Sequence, residues 1–293
     1  MSKLTLALGG GGARGVSHLG VIEILLEAEF EIERLVGVSS GSLASALYAF
    51  NDDITGVQTK TMQYLMSASF QRHQEVLFGA APAEGSEDAG GMFSWYDRVK
   101  SYLRANSLFH RVLRHPGLLP GIVLHDVVDH LLPDADISEA SVPLTIVAID
   151  LLTGHPVLLE KGSVRDAVRA SCSLPGIFPP VEFEGMLLCD IGTFFSLPTT
   201  LASSYAPECL VAVEVNSALK TVPTCESALD VLIRMGELAE NMFRKKVRDA
   251  ADLIIEPKVA GIEWFDFSNA DKAIEAGRQA ARKSISQLRQ LWG

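Results

Sequence analysis

The chain has 293 residues, the size of one large α/β domain or two small ones. Hydrophobic residues make up 48% of it, which excludes a disordered chain and leaves ample material for a core. The 25 Lys and Arg against 36 Asp and Glu give a formal net charge of -11. This excess disfavours nucleic acid and anionic membrane faces at long range, so lipid contact would have to be mainly apolar.

Residues 4–8, LTLAL, read as a short buried strand. A glycine run follows, and then Val21, Ile24, Leu25 and Ala28 recur at helical spacing. RLVGVS (34–39) reads as a second strand, and Leu43, Ala46, Leu47 and Phe50 mark the helix after it. Strand–loop–helix–strand–turn–helix favours a parallel sheet with helices on its faces. Residues 52–135 read as a helical insertion containing GAAPAEGSEDAGG (79–91), expected to be a mobile surface loop. The apolar run 115–133 is broken by Pro and Gly and reads as a helix pair packed over the sheet, or as the mouth of an apolar pocket. Further strands are expected at 143–150, 155–160, 186–190, 209–215 and 252–257. Helices are expected at about 226–249 and 270–292, the first carrying Leu232, Met235, Leu238, Ala239, Met242 and Phe243 at mixed i+3/i+4 spacing. With no repeat and no clear linker, residues 1–293 read as one domain.

Cys172, Cys189, Cys209 and Cys225 form no C-x-x-C, and no histidine pair has zincin spacing, so no metal site is expected. Scattered cysteines of this kind fit small core residues in a reduced, cytoplasmic chain. Neither a signal peptide nor a transmembrane helix is expected.

Two glycine-bearing junctions carry the chemistry. Gly10-Gly11-Gly12-Ala13-Arg14-Gly15 satisfies G-x-G-x-x-G, the dinucleotide fingerprint. The second strand, however, ends in Gly-Val-Ser-Ser-Gly rather than in a ribose-binding acid, and no Gly-Lys-Ser/Thr follows, which disfavours nucleotide binding. Gly37-Val38-Ser39-Ser40-Gly41 is G-x-S-x-G at a strand-to-helix turn, the pattern that exposes a strained nucleophilic serine. Gly37 and Gly41 let that elbow bend. A serine needs a base. No histidine is marked for the role, and His18 reads as structural. Asp190, ending the apolar run MLLCD, is the carboxylate best placed, with a turn cap as the alternative reading.

GGGGARG, GVSSG, ASCSLPGIFPPVEFEG (170–185) and CDIG (189–192), in this order, resemble the patatin-like phospholipase family. The tail at 251–277 is similar to its bacterial and neuropathy-target-esterase-type members. The resemblance implies a three-layer α/β/α patatin-like fold with a mostly parallel central sheet and a Ser–Asp dyad. Ser39 would be the nucleophile and Asp190 the general base. The amides of Gly10, Gly11 and Gly12 would form the oxyanion hole, with Arg14 bracing the loop. The implied activity is hydrolysis of lipid esters, phospholipid or lysophospholipid, without cofactor or metal. Peripheral membrane contact through 115–133 and 79–91 would accompany it. The family pattern has glycine directly after the Asp, where this chain has Ile191. A β-branched residue there would be strained if the position needed a positive φ; alternatively the turn has shifted by one, with Gly192 absorbing the bend. Two other readings remain: a catalytically impaired member that holds lipid or acts as a scaffold, and a dinucleotide-binding protein.

Overall fold

A computed structural model describes residues 3–78, 116–117, 119–216, 219 and 221–292. The expected loop at 79–91 lies outside the described residues. Strand β1 (Lys3–Leu8) leads through a 3₁₀ turn (Gly12–Val16) into helix α1 (Ser17–Glu27), then β2 (Glu31–Val38) and α2 (Ser40–Ala49). Helices α3 (Ile54–Leu65), α4 (Ala68–Phe78) and α5 (Ile122–Leu131) belong to the expected insertion. The remaining strands are β3 (Leu144–Asp150), β4 (Pro156–Leu159), β5 (Val181–Phe183), β6 (Met186–Cys189), β7 (Leu210–Val213) and β8 (Leu253–Ile255). Between and after them stand α6 (Val164–Ser171), α7 (Thr199–Ser203), α8 (Ala228–Val247) and α9 (Ala270–Gln290). The short β5 was not expected from sequence.

Strands β3, β2, β1, β7 and β8 run parallel in that order, while β4, β5 and β6 pair antiparallel. Both faces of the parallel part are buried, as the period of two along each strand shows. Leu4, Leu6 and Leu8 of β1 and Val211 and Val213 of β7 join one apolar cluster, with α1, α2 and α9. Ala7, Leu210 and Ala212 join a second cluster with Phe195, Leu197, Ala202 and Val247. This is the three-layer arrangement of helices on both faces of a mostly parallel sheet.

Strand register brings two distant sequence motifs together. Val147 of β3 pairs with Val38 of β2 and with Leu158 of β4, so β2 and β4 occupy opposite edges of β3. Ile149 pairs with Pro156 of β4 and with Cys189 of β6, so β6 also lies opposite β4. Strands β2 and β6 therefore share one edge of β3 and approach each other end to end. Val38 and Cys189 are their last paired residues there. The next residues of the two strands, Ser39 and Asp190, meet beside Ala148. A gap of one β3 residue between two converging strands is what assembles the site.

Candidate active site

Ser39 caps the N-terminus of α2 with φ 54° and ψ -127°. A non-glycine residue in such a conformation costs about 1–3 kcal/mol and persists only where its surroundings hold it. Ser171, at the end of α6, supplies the hold. Its Oγ accepts the Ser39 N–H at 2.8 Å and donates to the Val147 carbonyl at 2.7 Å, tying the elbow to β3. The elbow is also too tight for side chains. A Cβ on Gly41 would stand 2.2 Å from the Leu8 carbonyl oxygen, and one on Gly37 2.5 Å from the Gly41 oxygen.

Asp190 is 1% exposed and caps the 3₁₀ turn Ile191–Thr193, its Oδ1 accepting the Gly192 N–H at 2.6 Å. Burial raises its pKa from the ordinary 3.8 to about 7, against the opposing pull of the Ser39 hydroxyl and the Gly192 amide. The influence of Ser39 marks the two groups as neighbours. Asp190 Oδ2 is buried with no hydrogen-bond partner. Catalytic hydrogen bonds often tighten only with substrate.

The strain anticipated at Ile191 does not arise. Neither Ile191 nor Gly192 has a positive φ, because Asp190 leads into a 3₁₀ turn rather than a left-handed one. Ile191 packs into the second apolar cluster against Val36, Val38 and Val147. Glycine is needed one residue later for space: a Cβ on Gly192 would stand 2.8 Å from Asp190 Oδ1 and 3.6 Å from Ser39 Cβ.

The glycine loop lies alongside. A Cβ on Gly10 would come within 3.0 Å of Ser39 Cβ. Its amide corrects one expectation, because the Gly10 N–H is donated to the Ser196 carbonyl at 2.8 Å and is not free for an oxyanion. The Gly11 N–H is donated to Ser40 Oγ at 3.0 Å, a hydroxyl that can rotate away. Gly12 takes φ +60° beneath the Trp264 backbone, and no protein acceptor meets its N–H among the described residues. The Ser40 N–H, first of α2, is likewise open. The Ser40 amide was not among the candidates read from sequence; Ser40 directly follows Ser39, the position whose N–H serves in a nucleophile elbow. Arg14 Nε donates to the Gly11 carbonyl at 3.3 Å, and burial lowers its pKa.

A family model for patatin-like phospholipase matches residues 6–203, which span the glycine loop, Ser39 and Asp190. The chain belongs to the patatin-like phospholipase family. An uncharacterized NTE family protein of Mycobacterium tuberculosis is 29% identical over 97% of this chain and 46% of its own length. The mouse patatin-like phospholipase domain-containing protein 6 is 29% identical over 75% of this chain and 14% of its own. The chain thus spans about half the length of the mycobacterial relative and less of the mouse one. Among solved structures, VipD from Legionella pneumophila aligns with a TM-score of 0.48 and 15% identity, covering 98% of this chain and 67% of that one.

In this patatin-like chain Ser39 and Asp190 open into a cavity of about 470 Å³. One end is apolar, lined by Leu43, Leu47, Phe70, Val127, Leu131 and Phe178 among others. Among the described residues the run 115–133 forms one helix, α5, rather than a pair; Val123, Val128 and Leu131 are buried, and all three line the cavity. The other end carries Arg14, Asn216, Glu237, Glu240 and Arg244. Ser196 links this end to the glycine loop, its Oγ donating to Glu240 while its carbonyl holds Gly10. Arg244 bridges Glu240 to Glu214. Ser171, Ser196 and Glu240 had no signal in the sequence, because their roles depend on contacts between distant segments.

No described histidine lines this cavity. His18 is buried, and its Nε2 meets the Gly9 carbonyl at 2.7 Å. Burial holds its pKa down at about 4, so it is neutral and Nε2–H donates to the loop from behind. Cys172 lines the cavity, but burial raises its thiol pKa far above neutrality, and the Asp190 charge raises it further. It is no competing nucleophile. Cys225 is exposed, unlike the buried Cys189 and Cys209. Among the described residues no His/Cys/Asp/Glu group could hold a metal ion. No described helix is long and apolar enough to cross a membrane.

Proposed function

We propose that the chain is a serine acyl-ester hydrolase acting on lipid esters, phospholipid or lysophospholipid, with Ser39 as nucleophile and Asp190 as general base. The observation that carries this reading is the buried, partnerless Asp190 Oδ2 beside a serine held at positive φ, at the mouth of an apolar cavity. Membership of the patatin-like phospholipase family supports a lipid hydrolase.

An ester carbonyl placed over Ser39 is attacked by Oγ while Asp190 Oδ2 takes the hydroxyl proton. With a pKa raised to about 7, the carboxylate is a better base than an ordinary aspartate, and about half of it is ionised in neutral solution. The open amides of Gly12 and Ser40 receive the oxyanion, joined by Gly11 once the Ser40 hydroxyl turns away. Each such donor is worth about 2.7–4 kcal/mol in the transition state. Collapse breaks the C–O bond, and Asp190 returns its proton to the departing alcohol. Water, deprotonated by the same carboxylate, then attacks the acyl-Ser39 carbonyl and frees the fatty acid. The acyl chain occupies the apolar end of the cavity. Arg14 fixes the Gly11 carbonyl, so that the neighbouring amides keep their direction.

The test is labelling by a long-chain alkyl fluorophosphonate, followed by location of the adduct. Modification at Ser39, with ester hydrolysis abolished in Ser39→Ala, supports the reading. A folded protein that takes no adduct would make the chain a lipid-holding member without turnover.

A further inference from the structure

Helix α8 is inverted relative to the usual soluble helix. At about 100° per residue, its polar side chains Asp230, Arg234, Glu237, Glu240, Asn241 and Arg244 fall on one side. That side faces inward: Arg234, Glu237, Glu240, Asn241 and Arg244 line the catalytic cavity. The opposite arc carries Val231, Leu232, Met235, Met242 and Phe243, and it is exposed. Leu232 is 70%, Met235 58% and Met242 70% accessible. The stripe that marks this helix in the sequence is thus turned away from the core.

Charge on the outward arc is selective. The acids Asp230, Glu237 and Glu240 all fall on the inward side, whereas Lys246 lies on the outward arc and Lys245 flanks it, both exposed. This occurs in a chain of net charge -11. Beside the stripe, the Phe243 ring packs edge-on against Phe195, and the adjoining Phe194, a cavity-lining residue three positions from Asp190's neighbour Ile191, is 55% exposed. The apolar face therefore runs into the rim of the cavity.

We propose that the outward face of α8, with Phe194, is an interfacial docking surface for a lipid aggregate bearing anionic headgroups. The inference rests on the lipid-ester reading of the cavity and deepens it. Apolar side chains enter the acyl boundary while the lysines meet phosphates, the pattern of a helix lying in an interface plane. A protein partner would be expected to match the whole arc, whereas mixed Met, Leu, Val and Phe flanked by lysines suits a fluid surface. Because the inward side of the same helix lines the cavity, docking sets the cavity mouth at the lipid surface. A substrate can then pass to Ser39 without crossing water.

Flotation of the Ser39→Ala protein with phosphatidylcholine vesicles, with and without phosphatidylglycerol, tests this independently of turnover. Leu232→Ser with Met242→Ser is expected to weaken vesicle partitioning roughly 10- to 100-fold. Lys245→Gln with Lys246→Gln should remove the gain given by phosphatidylglycerol and leave binding to neutral vesicles. In the protein with Ser39 intact, both pairs should leave hydrolysis of a soluble short-chain aryl ester unchanged. Flotation unaffected by Leu232→Ser/Met242→Ser, or no flotation of the parent, overturns the docking surface. So does a parent dimer that this pair dissociates, which would assign the stripe to a second copy of the chain. Vesicle binding without ester hydrolysis would instead defeat the hydrolase reading alone.

Discussion

Replacing Asp190 by asparagine should stabilise the protein above neutral pH while removing its activity. Burial holds the Asp190 carboxyl protonated in the folded state up to a pKa of about 7, against 3.8 for an ordinary aspartate. Well below 3.8 the group is protonated whether the chain is folded or not, and it makes no pH-dependent contribution. Between 3.8 and about 7 the unfolded chain has released the proton that the native state keeps, so stability falls as pH rises. Above 7 both states are ionised and the loss is complete. Each pH unit of the window is worth about 1.4 kcal/mol, so the full difference approaches about 4 kcal/mol. The asparagine side chain would still accept the Gly192 N–H and has no charge to desolvate. The stability of Asp190→Asn relative to the parent should therefore climb by up to about 4 kcal/mol from about pH 4 to about pH 8.

Urea denaturation of the two proteins at half-unit steps over that range gives the difference directly, with other titrating groups cancelling. Activity should move oppositely. The parent rate on a soluble ester should rise through a midpoint near 7 as the base ionises, and Asp190→Asn should lose about 10²–10⁴-fold. Ser39→Ala removes a hydroxyl that holds the pKa down, so its stability window should extend to higher pH. A stability difference that stays flat across this range would refute the argument, since Asp190 would then be an ordinary solvated carboxylate.

Three further substitutions probe the support of the proposed dyad. Gly192→Ala sets a Cβ 2.8 Å from Asp190 Oδ1 and should lower kcat roughly 10- to 100-fold with KM unchanged, read from steady-state kinetics on a soluble ester. Ser171→Ala leaves the Ser39 N–H without its acceptor; a loss of about 1–3 kcal/mol in urea denaturation and slower fluorophosphonate labelling are expected. Ile191→Gly restores the family's residue after the aspartate. It should bring no gain in turnover and should cost about 2–5 kcal/mol, because it empties a buried position; thermal denaturation checks the loss.

Much of the fold was legible because it is local. The short apolar run LTLAL, the helical spacing after the glycines, and the two strand-to-helix junctions each specify their element within about ten residues. The apolar runs at 143–150, 209–215 and 252–257 became β3, β7 and β8 for the same reason. Strand β5 escaped notice because three residues, Val181–Phe183, carry too little periodicity to register. Residues that act across the molecule were not legible. Ser171 matters because it reaches from α6 to Ser39 and β3, and Ser196 because its carbonyl takes the Gly10 amide. A serine in a turn looks the same in sequence whether or not another segment passes within hydrogen-bond range.

The conditional strain at Ile191 and the direction of the α8 stripe turn on one shared point: sequence gives a residue's type, not what surrounds it. A demand for a positive φ after the aspartate would strain Ile191. The backbone makes no such demand, and the glycine that counts, Gly192, counts because a Cβ would press on Asp190. The apolar stripe of α8 likewise has the spacing of a core-facing helix, and spacing gives the width of a face but not its direction. Direction is set by what the other side must do. On α8 that side holds the polar end of the cavity, with Arg244 paired to Glu214 and Glu240 and the glycine loop held through Ser196. A helix that turns its charges inward to build a site must turn its apolar residues outward. The exposed stripe and the polar end of the cavity are therefore one structural decision, and a substitution on either face is read at the mouth of the same site.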